Sequence, residues 1–198
     1  MNLILASSSP RRADLLRDAG FSFIVDPADV DEDRYPGNPL PRDLAILLAQ
    51  AKAKRVAQRH PGDVVLAADT VVAFGDTPLG KPHDERHARE MLRLLAGTTH
   101  IVVTAVAVAG PDPAALRVDS AMSAVRMPAR QPQRLDDYLA SGLWQGKAGG
   151  YGIQDPDPIV TLVGGELTNV IGLPIPQTTR LLSHAGIHPT PPPPLSPG

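Results

Sequence analysis

Apolar and polar positions fall into blocks whose spacing changes along the chain. Leu3-Ile4-Leu5-Ala6 is a short unbroken apolar run, which predicts a strand covered on both faces. Ser7-Ser8-Ser9-Pro10-Arg11-Arg12 comes next. Ser9 suits an N-cap and Pro10 the first helical position, where its missing N–H costs nothing. An apolar stripe of Ala13, Leu15, Leu16 and Ala19 then runs to a Gly20 stop, so a helix is predicted to begin where the serines end.

Further on, a second strand is predicted over residues 22–25 and an acidic segment over 26–33. A helix is predicted over 41–60 with Leu44, Leu47, Leu48, Ala51 and Val56 on one face, closed by Pro61-Gly62. Val64-Val65-Leu66-Ala67-Ala68 reads as a buried strand with Asp69-Thr70 at its end, before Val71-Val72-Ala73-Phe74 resumes. Gly75-Asp76 reads as a turn, 79–82 as a loop and 84–96 as a helix stopped by Gly97. Residues 100–109 and 116–127 read as a long hairpin. A helix over 132–141, a glycine-rich stretch over 146–154, a strand over 159–163, a turn over 169–174 and a helix over 177–185 complete the order. The pattern predicts a mixed α/β domain over residues 1–187, with a proline-rich, disordered tail over 188–198.

Composition narrows the function classes. A chain of 198 residues can bury roughly 70% of the surface its unfolded form exposes, so it needs no staple. It has no cysteine, which removes disulfides and thiolate metal ligands from consideration. No apolar run approaches the ~20 residues that span a bilayer, and there is no basic segment leading into a long apolar stretch at the start. A soluble, cytoplasmic protein is the expectation. A formal net charge of −2 disfavours adhesion to a nucleic-acid polymer or an anionic membrane, so a local basic cluster would serve a small phosphorylated ligand.

Four polar segments stand next to predicted core elements: Ser7 to Arg12, Asp31-Glu32, Asp69-Thr70 with Lys81, and 147–154. In α/β sheets such loops converge beyond the strand ends and bind ligands there. The first segment brings hydroxyls, unpaired first-turn amides and two guanidinium groups together, a set suited to a polyphosphate. A plain capped helix with two solvated arginines is the alternative. Asp69 comes after five apolar residues and needs partners, such as Lys81, an arginine, Thr70, backbone amides or a divalent cation; local capping of a strand end is the alternative. Asp31 and Glu32 read as solvated charges unless they face Asp69, in which case two carboxylates can hold Mg²⁺ or Mn²⁺. Lys52 and Lys81 read singly as surface lysines. With Arg11 and Arg12 they can neutralise a triphosphate and its pyrophosphate leaving group. Tyr151 and Gln154 can offer a face and an amide to a base, although a buried tyrosine is the commoner case.

The sequence contains no Gly-x-x-x-x-Gly-Lys-Ser/Thr loop, no dinucleotide fingerprint after a strand, no zinc-hydrolase histidine spacing and no Gly-x-Ser-x-Gly elbow. Kinase, ATPase and serine-hydrolase classes lose support.

Taken together, Leu5 to Arg12 with Leu15-Leu16, Glu32, Lys52, Ala68-Asp69-Thr70, Gly80-Lys81-Pro82, the run from Lys147 to Gln154 and the run from Asn169 to Pro174 resemble the Maf family of nucleotide pyrophosphatases, collinearly from residue 3 to about 185. The resemblance implies hydrolysis of a nucleoside triphosphate between its α and β phosphates with a divalent cation, Mg²⁺ or Mn²⁺. It also implies a mixed, twisted sheet flanked by helices, two lobes around a cleft as in inosine triphosphatases, and a homodimer. It makes Asp69 the general base, has Glu32 and Asp69 serve the metal, and has Ser7, Arg12, Lys52 and Lys81 hold the phosphates.

Three positions linked in that family with substrate choice read Arg11, Thr70 and Gln154 here. That set resembles the branch acting on dTTP and UTP; the 7-methyl-GTP branch tends to carry Trp and Glu in place of Arg11 and Gln154. An amide can both donate and accept toward the O4/N3 edge of thymine or uracil. A 7-methyl-GTP pyrophosphatase and a nucleotide-sensing, division-linked binder without turnover are the alternatives. Asp155 departs from the pattern, standing where the family usually carries Gly, and Pro156-Asp157-Pro158 makes the rest of this loop stiffer and more acidic.

Overall fold

The computed structural model describes residues 1–30, 39–112, 115–129 and 132–190. Asp31, Glu32 and the tail from residue 191 lie outside the described residues. Element order is β1 (Leu3–Leu5), α1 (Pro10–Asp18), β2 (Ile24–Val25), α2 (Pro41–Ala57), β3 (Val64–Phe74), β4 (Thr77–Leu79), α3 (Glu85–Leu95), β5 (Thr99–Ala109), β6 (Leu116–Arg126), α4 (Pro132–Ala140), a 3₁₀ turn (Ala148–Gly150), β7 (Thr161–Gly164), α5 (Leu167–Ile171) and α6 (Ile175–His184). The expected mixed α/β architecture is present: one sheet of order β2-β1-β3-β5-β6-β7, with β4 added to β3.

β3 is a single 11-residue strand, not a strand that ends at Asp69. Apolar residues on both sides of Asp69 keep their alternation, so the carboxylate is carried within the ladder and Asp69 pairs with Ala105 of β5. The opposite edge of β3 is covered in two pieces. The parallel strand β1 pairs with Val64 to Leu66, and the antiparallel strand β4, which takes its last residue from the loop expected over 79–82, pairs with Val72 to Phe74. Among the described residues no strand covers that edge between 67 and 71, so the sheet has a notch there.

Buried apolar side chains form three clusters. One lies between α2 and the sheet (Ala45, Ala49, Ala53, Val65, Ala67, Ala105), one lies on the sheet's other face under α1 and α6 (Leu5, Leu16, Leu66, Leu173, Leu182), and one lies at the far end around α3, α4 and Trp144. The long strands β3 and β5 contribute to all three, with the notch between the first two clusters and the third.

The buried face of α2 differs from the one expected. Leu47 is exposed, and the stripe against the sheet is Ala45, Ala49, Ala53 and Val56, with Lys52 on the same face. Small residues on α2 meet small residues on β3 and β5, which lets the helix lie close to the sheet and brings Lys52 down to it. Of the turn expected over 169–174, residues 169–171 belong instead to the short helix α5 (Leu167–Ile171).

Candidate active site

The notch opens into a cavity of about 360 Å³, within the size range of small-ligand pockets. It is lined by Ser7, Arg11, Arg12, Lys52, Asp69 and Thr70, and on its other side by Lys81, Lys147, Tyr151 and Gln154. The structure therefore brings together every site residue expected from the sequence that falls within the described regions. Neighbouring strand residues point to opposite faces of a sheet. Asp69 and Thr70 can both reach one cavity because the cavity occupies a gap in the sheet's edge and not one of its faces.

Asp69 is 5% exposed and Lys52 6% exposed; Lys52 Nζ donates to Asp69 Oδ1 at 2.5 Å. Burying a carboxylate demands such a partner, and an ammonium in hydrogen-bond contact supplies charge and donor at once. The sequence offered Lys81, an arginine, Thr70, backbone amides or a divalent cation as partners for Asp69 and did not single out Lys52, because the register of α2 against β3 depends on the alanine stripe.

Arg12 is a cross-brace that joins the serine loop, strand β3 and the corner at Gly172. Its Nε donates to the Gly172 carbonyl at 2.8 Å, Nη1 to Ser7 Oγ at 3.2 Å and Nη2 to Thr70 Oγ1 at 3.2 Å. Thr70 Oγ1 lies 3.0 Å from Thr104 Oγ1, which donates to the Asn169 carbonyl at 2.8 Å. A carbonyl only accepts, so the Thr104 proton is committed to Asn169. Thr70 must then donate to Thr104 and accept from Arg12, giving the relay a single sense.

Asn169 anchors the far end, fully buried. Its Oδ1 accepts from the Thr104 N–H at 3.1 Å, and its Nδ2 donates to the Val102 carbonyl at 3.0 Å and to Ser123 Oγ at 2.9 Å. The side chain thus takes two backbone groups of β5 as an adjoining strand would. Its run was legible as a motif, but its bracing role was not, because the partners lie 46 to 67 residues away. Gly172, at φ +124°, completes the corner: a Cβ there would come within 3.2 Å of Thr70 Oγ1.

At the mouth, Arg11 Nη2 donates to the Gly146 carbonyl at 3.4 Å, linking the serine loop to the glycine-rich segment. Ser9 has the extended backbone of an N-cap, but its side chain makes no capping bond; its N–H instead donates to Ser7 Oγ at 3.2 Å. Tyr151 is buried, its hydroxyl 2.7 Å from His100 Nε2, and burial pushes its ionisation upward. His100 is 3% exposed and burial drops its pKa from 6.5 to about 4, so the ring is neutral at ordinary pH.

Among the described residues, no group of three or more His, Asp or Glu forms a metal cage. Asp69 is the one carboxylate lining the cavity there. This donor set suits a hard cation such as Mg²⁺, which usually rests on one or two carboxylates and completes its shell with water and substrate phosphates. No helix of the described residues is long and apolar enough to cross a membrane.

The family model for Maf-like proteins matches residues 2–185. The dTTP/UTP pyrophosphatase of Caulobacter vibrioides is 46% identical over 191 residues, covering 94% of this chain and 97% of that protein. The dTTP/UTP pyrophosphatase of Zymomonas mobilis is 44% identical over 188 residues, covering 93% and 92%. A solved nucleoside-triphosphatase / dITP/XTP pyrophosphatase from Mycobacterium abscessus aligns at a TM-score of 0.46 with 18% identity, covering 93% of this chain and 94% of that one.

Proposed function

The chain belongs to the Maf family, and from that premise we propose that it is a nucleoside triphosphate pyrophosphatase that hydrolyses dTTP and UTP, and modified pyrimidine triphosphates, to the monophosphate and pyrophosphate. The observation that carries the proposal is the buried Asp69 carboxylate on the floor of a cavity whose walls carry Arg11, Arg12, Lys52 and Lys81. A water molecule adds to phosphorus, the α–β anhydride bond breaks, pyrophosphate leaves with the electron pair, and Asp69 takes the proton that the water gives up.

The Lys52 contact fits that role. The arriving triphosphate offers anionic oxygens that compete for the ammonium, so substrate binding itself loosens the charge pair and leaves the carboxylate ready for a proton. Ser7, Arg12 and Lys81 hold the phosphates, and the braced Arg12 fork does so without reorganising. A divalent cation, Mg²⁺ or Mn²⁺, belongs to the same proposal: Asp69 and Glu32 would hold it, and when bound it neutralises phosphate charge. Arg11, Thr70 and Gln154 line the cavity as base-selecting positions.

We extend the proposal to a cytoplasmic homodimer acting on small nucleotides, an assembly state that light scattering on the purified protein tests. Activity is tested by measuring pyrophosphate release from a panel of canonical, modified and 7-methylated triphosphates with Mg²⁺ or Mn²⁺. Release from dTTP and UTP, lost in Asp69→Asn, is the expected result. Preference for 7-methyl-GTP, or binding of nucleotide without release, overturns it.

A further inference from the structure

Directly behind the glycine-rich wall of the cavity sits a carboxylate that the proposed reaction does not use. Asp155 is 8% exposed, although it belongs to a loop of exposed residues. It accepts from Lys147 Nζ, from the Tyr138 hydroxyl at 2.6 Å and, at 3.5 Å, from Gln154 Nε2. Room for this cluster comes from Gly152. A Cβ on that residue would lie 2.6 and 2.7 Å from the two Asp155 carboxylate oxygens and 2.7 Å from Gln154 Nε2. The amide and the carboxylate are therefore packed side by side over one bare Cα.

We propose that Asp155 is a positioning residue for base selection: it fixes which end of the Gln154 amide faces the cavity, so that the site takes a pyrimidine presenting an N–H beside a carbonyl, as uracil and thymine do, and turns away cytosine. The inference rests on the nucleotide-pyrophosphatase reading and deepens it. An ionised carboxylate accepts hydrogen bonds and donates none. Lys147 keeps the Asp155 charge compensated. Burial, and then the bond to Asp155, push the Tyr138 hydroxyl's ionisation upward, so it stays protonated and donates.

Of the two ends of the Gln154 amide, only the NH₂ can sit against Asp155; the carbonyl would face a negative oxygen. Oε1 and the second N–H are then the groups offered to a ligand. Uracil and thymine meet them with N3–H and O4. Cytosine, with an accepting N3 and a donating N4, would need the amide reversed. A residue without a carboxylate at position 155 leaves either sense open, so Asp155 sharpens a choice that Gln154 alone makes loosely.

The test compares UTP with CTP in the native protein, in Asp155→Asn and in Asp155→Gly, by kcat/KM for pyrophosphate release and by calorimetric binding of the uncleavable α,β-imido analogues. Asp155→Gly is expected to lower the uridine-over-cytidine ratio by about tenfold, the worth of one orienting hydrogen bond of ordinary strength, and Asp155→Asn by less, because an Asn oxygen can still accept from the Gln154 amide. If Asn does not fold, Gly at the same position gives the same readout without a buried side chain to satisfy. In a Gln154→Ala background the Asp155 changes should leave the ratio where it is, because Asp155 acts through that amide.

An unchanged ratio in the folded single variants, equal losses for both nucleotides, or a native protein that binds both analogues alike overturns the inference. Native protein that binds the analogues with the expected preference but releases no pyrophosphate upholds Asp155 and overturns the reaction instead.

Discussion

Lys52 Nζ and Asp69 Oδ1 stand 2.5 Å apart, where the alanine-lined face of α2 meets the middle of β3. This contact ties the proposed proton acceptor to the packing of the fold. Asp69→Asn keeps the shape and removes the proposed proton acceptor, so pyrophosphate release is expected to fall by about 10²- to 10⁴-fold, and stability is expected to fall by about 3 kcal/mol as well, because the buried pair with Lys52 loses its negative member. Lys52→Met is expected to lower activity and also stability, by about 3 kcal/mol, because it strips the ammonium from a buried pair. Activity assays paired with urea unfolding separate the two effects.

Asn169→Ala is expected to cost about 2–4 kcal/mol of stability, since it leaves the Thr104 N–H and the Val102 carbonyl without their partner in a buried setting. Thr104→Val cuts the relay more gently. There the Arg12 fork loses its fixed orientation through Thr70, and a several-fold rise in KM with little change in the unfolding midpoint is the expected signature.

Gly149 has φ +67°, and a Cβ there would lie 2.9 Å from Val72 Cγ2 and 3.1 Å from Val72 Cβ. Gly149→Ala therefore combines left-handed strain with overpacking against Val72 of β3, together about 2–4 kcal/mol. Gly146 shares the positive φ but has nothing near its Cα, so alanine there should cost about 1 kcal/mol. Denaturant midpoints of the two variants check the contrast.

Acid should destabilise the protein through His100. The folded ring has a pKa of about 4 against 6.5 in the unfolded chain. Below pH 6.5 the unfolded chain takes up a proton that the folded protein refuses. Stability from this group is therefore intact above pH 6.5 and declines toward pH 4, by on the order of 3 kcal/mol. Unfolding midpoints measured from pH 7.5 to 4.5 should show that slope, and His100→Gln should remove its share of it.

Much of this was legible in the sequence because it rests on local signals. The β5–β6 hairpin, the Asp84-capped start of α3, where the Asp84 side chain accepts from the His87 N–H at 2.7 Å, and the Pro10 start of α1 all arise from neighbouring residues. The residues that line the cavity were also legible, because their types and order resemble a family pattern. What was hidden depends on register between distant segments. Asp69 looked like the end of a strand because a charge after five apolar residues normally marks an edge, whereas a notch lets the strand continue through it. Leu47 looked buried because leucine outranks alanine in hydrophobicity; close approach to an alanine-rich sheet reversed that order.

The notch in the edge of β3 also divides the labour of evolution. The proposed proton acceptor sits in a ladder paired with β5 from Val65 to Ala73, whereas Lys147 and Gln154 on the other side of the pocket come from turns outside the sheet. Substitutions in those turns would shift the proposed choice of nucleobase while the strand that carries the proposed reacting group stays as it is.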